Sequence, residues 1–89
     1  MDTLVRLLKA QEMNPDIAQD NGYFNQNTPE MRAIVSLATE LLIDDQGQCN
    51  WDNIDILQEE GFYVFPGERD SFGWLTGCIS MMNGTIVYG

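Results

Sequence analysis

The side chains able to do chemistry in this chain are carboxylates and little else. It carries fourteen Asp and Glu against four Lys and Arg, with no histidine. A serine or cysteine nucleophile usually needs an adjacent base such as histidine, and Lys9 is the sole lysine, so Ser- or Cys-based hydrolysis is not expected. Cys49 and Cys78 lie far apart in sequence. With no histidine and no close cysteine pair they cannot assemble a zinc site within one chain. The expectation is a small apolar Cys78 in the core and a loop thiol at Cys49.

The acids come in pairs: Asp44/Asp45, Asp52/Asp55, Glu59/Glu60 and Glu68/Asp70. A glycosidase sets two carboxyls facing each other across a sugar-holding cleft, and 89 residues offer little material for one. A calcium loop starting at Asp44 would put Gln46, Gln48 and Cys49 where acids and the turn glycine belong, and a start at Asp45 fails at Gly47. No catalytic residue, metal or cofactor is therefore expected. Asn83-Gly84-Thr85 matches a glycosylation sequon but reads as turn chemistry.

What remains is where the charge lies. The net charge is -10. Arg6, Lys9, Arg32 and Arg69 are too few and too scattered to displace counterions from a nucleic acid or to hold an anionic membrane. The first residues lack the apolar core of a signal peptide, and no stretch is apolar enough to span a bilayer, so the expected location is cytoplasmic. Residues 44–60 hold Asp44, Asp45, Asp52, Asp55, Glu59 and Glu60 with no base, and Glu68 and Asp70 would extend the patch. On a helix over 51–60, Trp51, Ile54 and Leu57 form an apolar face. Asp52, Asp55 and Glu59 then fall within about 60° of one another elsewhere on the wheel. Four acids over about 15 Å approach the linear charge density of one DNA strand.

These residues need elements to hold them. Asn14-Pro15, Thr28-Pro29 and Asn50 are helix starts, and Asn21-Gly22, Gly47 and Gly61 are stops. Met31, Ile34, Val35, Ala38, Leu41 and Leu42 recur at helical steps. The reading is an α+β domain over 1–89. Helices at about 3–13, 29–44 and 51–60, with a short turn of helix near 15–20, pack on a three-stranded antiparallel meander at about 62–65, 71–82 and 85–88. Thr3 would cap the first helix, Tyr23–Asn27 would be loop, and Pro66-Gly67 would turn the chain. Asn83-Gly84 would make a type I′ hairpin with Met82 opposite Thr85. Leu75, Ile79, Met81, Ile86 and Tyr88 share the expected core face. The helix–helix–hairpin order resembles a winged helix, but the helix that would read DNA carries four acids and no base.

These features predict a small protein-binding inhibitor whose acids stand in for phosphates and occupy the basic groove of a DNA- or RNA-handling enzyme. Trp51, Tyr63 or Trp74 would anchor it. In size, charge and missing catalytic residues the chain resembles anti-restriction and anti-CRISPR inhibitors of phages and mobile elements, a likeness of gross character that rests on no motif. The alternative is a non-catalytic adaptor that assembles through its uncharged C-terminal sheet. Trp74, Ile79, Met82 and Val87 are the expected contacts, with a homodimer as the expected state.

Overall fold

A computed structural model describes residues 1–13 and 19–89, and the elements form where local chemistry favours them. Helix α1 (Asp2–Met13) starts one residue before Thr3, with Asp2 in its first turn and the Val5 amide donating to the Met1 carbonyl, so Thr3 is not its cap. Helix α2 (Pro29–Leu42) follows its sequence signal. Thr28 Oγ1 accepts from the Met31 amide at 3.2 Å, Pro29 occupies the first turn, and Met31, Ile34, Ala38 and Leu42 are all buried. Helix α3 (Trp51–Glu59) is capped by the Asn50 side chain, buries Ile54 and Leu57, and ends at Gly61 with φ +98°. The Asn53 amide donates to the Leu41 carbonyl at 2.6 Å, tying α3 to α2.

Helix α2 stops short of the expected Asp44. Ile43 is extended and bridges Cys49, which folds 44–48 back as a tight turn.

Among the described residues the sheet has five strands, in the order β1-β2-β5-β4-β3. They are β1 (Gln19–Asp20), β2 (Tyr23–Phe24), β3 (Tyr63–Arg69), β4 (Leu75–Met81) and β5 (Gly84–Tyr88). This corrects the antiparallel meander: β2 pairs with β5 in parallel, Tyr23 opposite Thr85, so the sheet is mixed. Of the expected helical turn near 15–20, residues 15–18 lie outside the described residues and 19–20 are strand. Asn21-Gly22 is a hairpin loop between β1 and β2, not a helix stop. Both residues have positive φ, 52° and 84°, as a type I′ turn requires.

The second Asn-Gly pair behaves otherwise. Neither Asn83 nor Gly84 is left-handed, and the β4–β5 loop is Met82-Asn83. Ile79 therefore faces Ile86 and Ser80 faces Thr85, two residues from the expected register. A shift of two preserves the faces, so Ile79, Met81, Ile86 and Tyr88 are still the buried set. Pro66-Gly67 is a bulge inside β3, between the paired residues Phe65 and Glu68, and the chain turns at 70–74 instead. Proline has no amide to give the ladder, which suits a bulge on an edge strand.

The helices all pack on one side. Leu4, Leu8, Met31, Ile34, Leu42, Ile54 and Leu57 join Phe24, Phe62, Val64, Ile79, Ile86 and Tyr88 in one core. The shortest dimension of the molecule is 19 Å, the thickness of two layers. The opposite face of the sheet has no covering layer among the described residues.

Candidate functional site

The outer side of α3 carries the acids furthest from any structural duty. Asp52, Asp55 and Glu59 are exposed, and Trp51 at the start of the helix is 58% exposed. Their order follows from the helix. Ile54 and Leu57 turn inward, so positions three and four residues from each other on the far side stack along one ridge about 10 Å long. Asp45, exposed in the 44–48 turn, precedes this ridge.

The other acids divide by role. Glu60, the cap residue after α3, pairs with Lys9 at 2.7 Å, the one ion pair among the described residues. Both groups are about half exposed, so the pair contributes about 0–1 kcal/mol, but it brings a cation to one end of the ridge. Asp44 and Asp70 build turns. Asp44 Oδ1 accepts from the amides of Gln46 and Gln48, both at 2.9 Å. Asp70 Oδ1 accepts from those of Phe72 and Trp74 at 2.9 and 3.0 Å. In each turn the amide of the fourth residue, Gly47 or Gly73, donates back to the aspartate carbonyl at 3.0 Å, with φ +72° and +85°. The same Asp-x-x-Gly turn is thus built twice, and its aspartates serve the backbone. Glu68 is exposed on β3 just past the bulge, on the sheet's open face, away from α3's outer side.

Among the described residues no arginine forms an ion pair with the ridge acids. Arg32 donates to the Asn27 carbonyl and Arg69 to the Gly73 carbonyl, each at 2.9 Å.

The expected sheet contacts do not form one patch. Ile79 is fully buried and cannot meet a partner. Trp74 (72% exposed) and Met82 (96% exposed) flank opposite ends of β4, about 25 Å of strand apart. Only Val87 lies on the uncovered face, half-buried. Cys78 is on that face too and not in the core, and partial burial pushes its thiol pKa up.

Sequence reasoning singled out Tyr63 as an anchor but missed its aromatic neighbours on this face, Tyr23 and Phe65. Tyr23, Tyr63 and Phe65 are each about half exposed or more, and the Tyr63 and Phe65 rings meet edge to face with centroids 4.5 Å apart. The signal was the alternation in 62–65. Phe62 and Val64 are buried while Tyr63 and Phe65 point away, but an all-apolar run hides its own period. Beneath the sheet the Tyr88 hydroxyl is buried with no hydrogen-bond partner among the described residues, and burial raises its pKa to about 12. No group of three or more His, Cys, Asp or Glu among the described residues is arranged to hold a metal ion, and no described helix is long and apolar enough to cross a membrane. Comparison with protein families, with curated proteins and with solved structures finds no match.

Proposed function

We propose that this protein works by binding another protein, and that the outer face of α3 is the element that enters the partner. The observation that carries this reading is the set of three exposed acids, Asp52, Asp55 and Glu59, beside an exposed Trp51, with no ion pair to any of them among the described residues. Like charges at helical spacings cost a few tenths of a kcal/mol each, and nothing in the packing needs them. A ridge of carboxylates with an aromatic anchor fits a groove lined by Lys and Arg, the kind of groove that holds a nucleic-acid backbone. In this reading the protein is a non-catalytic inhibitor that occupies that groove and excludes DNA or RNA.

Immobilised protein incubated with a host lysate tests it. The captured partners should elute in a modest salt step and be displaced by added duplex oligonucleotide. Asp52→Asn, Asp55→Asn and Glu59→Gln together should lose them. Capture that ignores both salt and duplex, or that survives the triple change, overturns the reading.

A further inference from the structure

The uncovered sheet face is shaped as a trough. Tyr63, Ser80, Thr85 and Tyr23 lie side by side across β3, β4, β5 and β2, so large aromatics stand at both margins and small side chains form the middle. The next row, Phe65, Cys78 and Val87, repeats the pattern on the β3 side. A groove of ≈ 390 Å³ opens over this second row, between Tyr23 and Phe65 with Thr76, Cys78 and Val87 as its floor, and among the described residues Glu68 is the only charged one lining it. Three strand spacings put the β2 and β3 backbones about 14 Å apart, so the gap between the rings is narrower and admits one face of an α-helix whose full diameter with side chains is about 10–12 Å. Three rows of side chains give a floor about 13 Å long, roughly two and a half helical turns.

From this geometry we infer that the trough is a docking site for one amphipathic α-helix of a partner protein, apolar on the buried side and basic on its flanks. Such a helix would supply the third layer that the sheet lacks. A second copy of this chain fits poorly. Two such faces would meet wall on wall over a hollow floor, and each copy brings a net charge of -10. An added strand is also disfavoured. The free edge of β3 is blunted by the Gln58 amide, which donates to the Val64 carbonyl, and by Pro66. The same net charge and Glu68 select Lys or Arg on the helix flanks. The inference is independent of the α3 reading, because the trough opens on the other side of the sheet.

The test uses the whole protein and a lactam-stapled helical peptide of about 16 residues with a Leu/Ala stripe flanked by Lys. Two controls have the stripe scrambled or Lys replaced by Glu. Fluorescence anisotropy should give micromolar binding for the first peptide and binding at least tenfold weaker for both controls. Thr76→Phe and Val87→Phe, which fill the floor without touching the core, should each weaken it at least tenfold. Should either variant fail to fold, a bulky maleimide placed on Cys78 of the folded protein fills the same floor and should do the same. Bound peptide should slow labelling of Cys78 and not of Cys49. Neutralising Asp52, Asp55 and Glu59 should change peptide affinity by no more than about threefold, which separates this site from α3. Equal binding of all three peptides, no binding, unchanged affinity with a filled floor, or a peptide-free dimer that protects Cys78 would each overturn the proposal.

Discussion

Two exposed surfaces of this molecule are opposites. The outer side of α3 is rich in charge and poor in shape, with Asp52, Asp55 and Glu59 on a narrow ridge. The open sheet face has walls and a floor and, among the described residues lining its groove, a single acid, Glu68. They differ in what made them. The ridge is dictated by helical periodicity, because burying Ile54 and Leu57 leaves the acids outside. The trough is dictated by topology, because its walls come from β2 and β3, strands that neighbour each other in neither sequence nor sheet. A surface written in one helix can be read locally, whereas one assembled from four strands cannot.

The trough is most vulnerable at Gly67. A Cβ there would run into the Thr76 carbonyl, so Gly67→Ala must open the bulge or part β3 from β4. It should cost about 3 kcal/mol in thermal or denaturant unfolding and deform the trough while leaving the chemistry of α3 unchanged. The triple neutralisation on α3 is the complement. It should weaken partner binding about 100-fold, roughly 2.7 kcal/mol, yet leave the melting temperature level or slightly higher because like-charge repulsion is relieved.

A smaller effect lies between the two surfaces, at Tyr88. In the folded chain burial moves its phenol from near 10 up to about 12. The unfolded chain releases that proton first, so stability is undiminished below pH 10 and falls as pH rises towards 12, by on the order of 1–2 kcal/mol. Tyr88→Phe should remove that alkaline loss. It should also raise stability at neutral pH by up to about 1 kcal/mol, since the hydroxyl it deletes has no partner among the described residues. The smallest change is at Lys9. Lys9→Gln breaks the ion pair with Glu60, should cost less than about 1 kcal/mol in unfolding, and by freeing a fourth acid should tighten partner binding.

Local signals and tertiary demands part company at identifiable residues. Thr28 and Asn50 cap α2 and α3 as their positions imply, and the burial of α2 follows its apolar spacing. The Asn-Gly dipeptide occurs at 21–22 and 83–84. Only the first makes the left-handed turn, because its short strands impose no other register, while 83–84 yields to a pairing that sets Ile79 opposite Ile86. Asp44 and Asp70 look like members of an acidic patch, but each opens an Asp-x-x-Gly turn and its carboxylate is taken by backbone amides. Glu60 was legible as an acid, but its pairing with Lys9 joins residues 51 positions apart, which no local pattern encodes. The parallel contact of Tyr23 with Thr85, and the trough it completes, depend on the same kind of long-range closure.

The most direct test of the α3 reading is the salt dependence of affinity for the captured partner, measured for the natural chain and for the triple variant over low to moderate ionic strength. Binding carried by Asp52, Asp55 and Glu59 predicts a steep fall for the natural chain and a much shallower line for the variant, the two converging as salt rises. Parallel lines of equal slope would mean that these three carboxylates do not touch the partner.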